Sequence, residues 1–258
     1  MKVILPVLLM LSSIFIWAQE KVPELITDRP DQTESAVVVP LKFLQIEAGF
    51  FMENNKEAAI SYQSFAYNST LLRYGLFKNM ELRLGLEYLG ERSKTPGSEF
   101  KNTISVFGPL YTGVKIKIAD EDSWKPDIAF IGAVIFPFTA GDSLKPSYSA
   151  ASMLFPFSHT LSDRFSIGYN LGTDWDGKTP MPNYFYSASL GIGLMEKLGA
   201  YVEGYGTLPE DGKPQHLADA GLTYLALPNF QLDLSGGVGL YNAADNFISF
   251  GFTYRIPN

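Results

Sequence analysis

From about Lys42 to the end of the chain, apolar and polar side chains trade places at every second position. In LQIEAGFFME, Leu44, Ile46, Ala48, Phe50 and Met52 share one face, while Gln45, Glu47, Gly49 and Glu53 share the other. ELRLGLEYLGE repeats the arrangement, with Leu82, Leu84, Leu86 and Tyr88 set against Glu81, Arg83, Gly85 and Glu87. A helix would scatter those charges around its circumference, so the period is that of a strand with two unlike faces. Read this way, the chain predicts strands near 42–53, 60–76, 80–90, 103–118, 127–138, 149–160, 164–173, 183–194, 198–207, 216–226, 230–240 and 246–256. The fold class is therefore all-β, with about twelve strands, an even number that suits an antiparallel up-and-down barrel.

The connections fall into two alternating classes. FKNM, LSDR, MEKL and LPNF are brief, with ADEDSWKP as a longer exception. ERSKTPGSEFKN, TAGDSLKPSY, DWDGKTPMPN and TLPEDGKPQH are long and rich in Gly, Pro and charge. Short turns on one rim and long loops on the other are the layout of an outer-membrane barrel. A soluble β-sandwich also has many short strands. Against it, the polar faces carry few charges, interleaved with Gly, Ser and Tyr as in a crowded lumen, and Phe77, Trp124, Phe165 and Phe230 gather beside the short turns where an interfacial girdle lies. Two places resist the pattern: DIAFIGAVIFPF is apolar on both faces, and Pro137 and Pro156 fall within predicted strands, where they mark bulges or strand ends.

Composition narrows the class. The first residues, MKVILPVLLMLSSIFIWAQ, have the layout of a secretory leader over residues 1–18. Read as a membrane-spanning helix, the same run is short and broken by Pro6. No later window holds 18 consecutive apolar residues, so residence in a membrane requires a closed sheet. The absence of cysteine removes disulfides, thiolate metal sites and a lipidated N-terminal cysteine. A net charge of −7, or −8 once Lys2 leaves with the leader, argues against nucleic acid as a partner. Residues 19–41 form a polar segment and residues 42–258 the barrel.

The run ITDRPDQTESAVVVPLKFLQIEAGF, followed by LLRYGLFKNMELRLGLEY, GVKIKI, YNLG and QLDLSGGVGL, resembles the outer-membrane transporter-like barrels of Bacteroidetes that are grouped with the phenol-degradation meta-pathway proteins. The resemblance covers nearly the whole mature chain. It implies a bacterial outer-membrane barrel passing a small solute, with a weak pointer to hydrophobic or aromatic compounds. In NFISFGFTYRIPN, Ile248, Phe250, Phe252, Tyr254 and Ile256 are expected to face lipid, and such an aromatic last strand resembles the signal read by the barrel-insertion machinery.

The polar residues divide by face and position. Glu47, Arg73, Arg83, Glu87, Lys115, Lys117, Asn170, Glu203, Asp219 and Asp233 are expected to line the lumen. They admit two readings: charges that pair across a narrow interior and fill it, or a basic stripe of Arg73, Arg83, Lys115 and Lys117 that favours anions. Ahead of the first strand stands TDRPDQTES, whose Asp28, Arg29, Asp31 and Glu34 either hang as a periplasmic tail or fold back as a plug that brings carboxylates to buried lumen cations. A barrel lipid hydrolase needs His and Ser two apart on one face, yet Phe157 and Leu161 flank His159, and Pro214 and Ala218 flank His216. No enzyme, cofactor or metal site is expected; DWDG at 174–177 resembles part of a calcium loop but lacks the later bidentate Glu.

Overall fold

The computed structural model describes residues 23–145 and 147–256, so the expected leader lies outside the described residues. The strands are β1 (Leu44–Glu57), β2 (Ile60–Phe77), β3 (Met80–Lys94), β4 (Lys101–Phe107), β5 (Leu110–Ala119), β6 (Asp127–Phe136) and β7 (Ala150–Thr160). They continue as β8 (Phe165–Trp175), β9 (Asn183–Met195), β10 (Leu198–Pro209), β11 (Gln215–Leu227), β12 (Phe230–Tyr241) and β13 (Asn246–Ile256). All pair antiparallel with sequence neighbours, and the sheet closes where β1 pairs with β13, from Leu44↔Ile256 to Asn54↔Asn246. β4 and β5 lie along successive lengths of β3, opposite Tyr88–Ser93 and Met80–Gly85, so they are two halves of one wall strand and the barrel has twelve.

The break inside the strand predicted over 103–118 falls at Gly108–Pro109. Pro109 has no N–H for a ladder, and the Gly108 N–H bonds instead to the Glu87 carbonyl at 3.0 Å. Pro137 likewise ends β6 at Phe136 by opening a 3₁₀ turn, Pro137–Thr139. Pro156 stays within β7, where the register against β6 skips from Ile128↔Phe157 to Ile131↔Leu154 and no donor is needed. The two-sided apolar run of β6 turns Ala129, Ile131 and Ala133 inward, where they are buried.

Burial in this wall is inverted relative to a soluble protein. Arg73, Glu81 and Lys115 have no exposed surface, whereas Leu86, Phe250 and Val238 are 45%, 52% and 50% exposed. Transfer of apolar surface from water drives folding in solution, so a wall that turns leucine outward and charge inward is built for hydrocarbon outside. Among the described residues no helix is long and apolar enough to cross a membrane, which leaves a crossing by strands untouched. Both ends of the barrel chain lie at the rim that carries the turns 78–79, 161–164, 196–197 and 228–229, and the long loops 95–100, 137–149, 176–182 and 210–214 crown the other.

Candidate functional site in the barrel lumen

Residues 23–42 cross the barrel interior, and wall side chains hold them along the whole path. Arg255 donates to the carbonyls of Glu24 and Pro23, Gln45 to that of Ile26 at 2.8 Å, and Gln231 to the Thr27 hydroxyl at 3.1 Å. The segment then spans to β9 and β10. There the Gln32 N–H donates to Glu203 at 2.8 Å, and the Thr33 hydroxyl lies between Glu203 and Ser187, the latter at 2.7 Å. It returns past Asn170, whose amide, oriented to satisfy its neighbours, exchanges hydrogen bonds with the Glu34 backbone. The Val37 carbonyl accepts from Arg73 at 3.0 Å, the Val39 N–H donates to Glu81 at 2.7 Å, and the Lys42 N–H joins the Gly75 carbonyl at 2.7 Å. The Ser35 N–H and hydroxyl both donate to Asp28 at 2.9 Å, closing the excursion into a compact loop.

Two opposed walls meet this loop with opposite charge. On β2, β3 and β5, Arg73, Arg83 and Lys115 point inward, and Asp28 sits among all three at 3.0, 2.7 and 2.7 Å. Glu47 and Glu81 hold Arg73 at 2.8 Å each, and Glu34 reaches Arg83 at 2.8 Å and Lys115 at 3.4 Å. On β10, β11 and β12 stand Glu203, Asp219 and Asp233. Arg29 forms a two-pronged bond to Asp233, with Nη2–Oδ1 at 2.8 Å and Nε–Oδ2 at 3.2 Å. Glycine makes that reach possible: Gly49 and Gly251 are paired on β1 and β13, and a Cβ at either would stand 2.5 Å from the Arg29 guanidinium. Asp31 faces Glu203 and Asp219, and the Tyr201 hydroxyl donates to Asp219 at 2.9 Å.

The loop's own carboxyls respond to these surroundings. Burial pushes Asp28 up, but the joint pull of Arg73, Lys115 and Arg83 wins and holds it well below the usual carboxylate range. Burial, with Glu203 adding repulsion, pushes Asp31 up to about 8. Glu34 is pushed up to about 7, burial and Asp28 outweighing Arg83 and Lys115.

Of the residues singled out by sequence, Asp28, Arg29, Asp31, Glu34, Glu47, Arg73, Arg83, Lys115, Asn170, Glu203, Asp219 and Asp233 come together around this loop. Two do not. Lys117 sits nearer the turn rim, bound to Asp127, and Glu87 lies above the loop with the Ser69 hydroxyl 3.1 Å away. The basic stripe is thus dispersed: three of its four cations are neutralised by carboxylates and the fourth stands apart. Gln45, Thr33, Ser187 and Arg255 join the site without being among the residues singled out by sequence: Gln45 and Arg255, on inward faces, bond loop carbonyls, and Thr33 bonds Ser187 and Glu203, contacts that no pairing of opposite charges announces. His216 bonds Tyr186 at 2.8 Å and His159 faces Glu121 at 3.8 Å. Asp176 of DWDG accepts the backbone N–H groups of Lys178 and Thr179, and no group of three His, Asp or Glu side chains among the described residues is arranged to hold a metal ion.

The loop divides the interior. A cavity of about 1110 Å³ opens toward the long-loop rim, and one of about 430 Å³ opens toward the turn rim. Arg29, Pro30, Asp31 and Glu34 border both and form the partition. The larger cavity is rich in carboxylates, among them Glu53, Glu57 and Glu87, beside Phe51 and Phe247, whose ring centroids are 5.3 Å apart.

The family model described as Putative MetA-pathway of phenol degradation matches residues 27–256, from the crossing loop to the end of β13. Among solved structures, an outer membrane channel from Pseudomonas putida F1 is similar at TM-score 0.64 and 11% identity, covering 90% of this chain and 100% of its own. The translocator domain of autotransporter NalP from Neisseria meningitidis is similar at TM-score 0.55 and 9% identity, over 84% of this chain and 90% of its own. The NanC porin follows at 0.52 and 10%, over 83% and 100%. At such identities these likenesses concern the fold, and they include both channels and a translocator. No curated protein matches the chain.

Proposed function

Starting from the premise that the chain belongs to the phenol-degradation MetA-pathway family, we propose that it is a bacterial outer-membrane channel for passive passage of a small solute, closed at rest by its own residues 23–42. The observation that carries this reading is the partition: two lumen cavities that open toward opposite rims and share Arg29, Pro30, Asp31 and Glu34 of the loop as their common border. An ion-paired loop in a polar lumen can leave and return, because the charges on both sides regain water when it does. The carboxylate-rich outer cavity disfavours anions, and Phe51 and Phe247 offer a surface to a neutral solute with an aromatic part. The family's description supports the same solute class. Delivery by a leader over residues 1–18 and assembly by the barrel-insertion machinery in lipid belong to the same reading.

The chain has no cysteine, so a reversible lock can be introduced cleanly. The Thr33 and Ser187 hydroxyl oxygens are 2.7 Å apart, and Thr33→Cys with Ser187→Cys places two thiols across the loop–wall contact. In liposome swelling with small neutral aromatics and sugars, the reduced double variant is expected to pass solute and the oxidised form to pass none. Equal flux in both states overturns loop gating. No flux in either state, nor in a chain lacking residues 23–38, points instead to a filled structural barrel, which the fully buried Arg73–Glu81–Lys115 cluster would favour.

A further inference from the structure

The outer surface of β1, β2 and β3 changes character abruptly toward the long-loop rim. An unbroken line of rings crosses five strands: Phe250 on Phe50 at 5.1 Å, Phe50 near Phe65 at 6.2 Å, Phe65 on Tyr67 at 5.1 Å, Tyr67 near Tyr88 at 6.0 Å and Tyr88 on Phe107 at 5.0 Å. Such a line marks the upper edge of the hydrocarbon. Two residues beyond Phe65, and four beyond Phe50, Phe250 and Tyr88, roughly 7–13 Å higher, the outward positions become a polar ladder. Asn246, Asn54, Gln63 and Arg92 follow one another across the strands, with Asn54–Asn246 at 2.8 Å and Gln63–Asn54 at 2.9 Å. The next row is Lys56, Ser61 and Lys94.

Charge is sorted by face in this corner. The strand carboxylates Glu53, Glu57 and Glu91 alternate to the inward face, while Lys56, Arg92 and Lys94 turn outward; Glu99 in the following loop is the other acidic neighbour in sequence. Among the described residues no carboxylate pairs with any of the three cations. Arg92 stacks its guanidinium on Phe65 at 4.5 Å and near Phe100 at 5.9 Å, which fixes the group, and its buried Nε has no partner. Lys94 lies over Phe100 at 4.7 Å.

We propose that Arg92 and Lys94, flanked by Lys56, Asn54 and Gln63, form a seat for a phosphate of the outer-leaflet glycolipid, with its acyl chains lying along the aromatic line below. Cations held on rings at headgroup height, with the amides beside them, match a phosphorylated sugar above hydrocarbon. Free phosphate lacks the second half of that match.

The test is native mass spectrometry and thermal stability of the full chain in detergent micelles, titrated with purified lipid A, enzymatically dephosphorylated lipid A, and inorganic phosphate. Lipid A is expected to bind and to raise the unfolding temperature, the other two to do neither. Arg92→Gln with Lys94→Gln is expected to weaken lipid A binding roughly 25-fold, about fivefold per cation, while single-channel conductance stays at the wild-type value. Lys78→Gln with Lys197→Gln, at the opposite rim, is expected to leave binding unchanged. Should the Arg92/Lys94 variant misfold, Lys94→Gln alone, whose side chain is exposed, is expected to give the fivefold loss. Undiminished binding in these variants, or equal response to dephosphorylated lipid or to inorganic phosphate, overturns the proposal.

Discussion

Asp28→Asn isolates the strongest contact between the loop and the wall. The carboxylate lies within 3.0 Å of Arg73 and 2.7 Å of both Arg83 and Lys115, and it also accepts two bonds from Ser35. The amide has the same shape and can keep Ser35, but it loses the charge and turns an NH₂ toward guanidinium. Removing one partner from a buried ionic network costs about 3–5 kcal/mol. Here the lower end applies, because Arg73 keeps Glu47 and Glu81, and Arg83 keeps Glu81 and Glu34. A loss of about 3 kcal/mol shifts the docked-to-released ratio roughly a hundredfold. Those remaining pairs also keep the barrel wall intact. Single-channel recording should show the fraction of time at high conductance rising by about that factor, and hydrogen exchange at the Gln32 and Val39 amides, which bond Glu203 and Glu81, should accelerate to match. Asp142→Asn in an outer loop serves as the neutral control. Wild-type conductance together with wild-type protection in a correctly folded Asp28→Asn barrel would refute the reasoning.

Arg29→Gln leaves the fully enclosed Asp233 carboxylate without its cation and is expected to release the loop by a similar measure, whereas adding Asp233→Asn should restore part of the docking; a double-mutant cycle on conductance reads the coupling, and additive effects would contradict the pair. Docking should also weaken with rising pH. The docked Asp31 keeps its proton up to about 8 while a released one loses it in the ordinary carboxylate range, so each pH unit within that window favours release by up to about tenfold. Asp28, held low, acts with the opposite sign and withdraws its support only as acid passes below the ordinary carboxylate range. Conductance should therefore be higher at alkaline than at mildly acidic pH, and Asp31→Asn should make the profile shallower, leaving the part that Glu34, also pushed up, contributes with the same sign. Gly75→Ala places a methyl on the Pro40 and Val39 carbonyls and should cost about 1–3 kcal/mol of loop docking, seen as faster exchange at Val39, while Gly204→Ala, with open space around it, should change nothing.

The architecture was legible because alternation is a property of each strand alone. Leu44–Met52 and Leu82–Tyr88 declare two faces without reference to any other residue, and the terminal aromatic strand declares the closure that β1 and β13 make. Strand interruption was less legible: Gly108–Pro109 is a two-residue signal within a run whose hydrophobic period does not change across it. Within the lumen, charge and parity identified Arg73, Arg83, Lys115, Glu203 and Asp233, but not their partners, because pairing depends on which strands face one another across the barrel. Lys117 shares its face with Lys115 and still falls outside the cluster, since the neighbouring turn supplies Asp120 and Asp127 closer at hand. The notch at Gly49 and Gly251 joins positions some two hundred residues apart that only closure brings together.

The arrangement of charge explains why the loop takes one register. Asp28 and Arg29 are adjacent in the chain and go to opposite walls, the first into the basic group on β2, β3 and β5, the second to Asp233 on β12. A slip of one residue would set Arg29 against Arg73, Arg83 and Lys115 and return Asp28 toward Asp233, so repulsion specifies the position as firmly as attraction does. Apolar packing would hold a plug with less discrimination and would strand greasy surface in the lumen each time it left. Ionic docking avoids that, because its net strength is a small difference between Coulomb attraction and the water that each charge gives up. That balance is what allows a loop making more than a dozen polar contacts with the wall to remain removable.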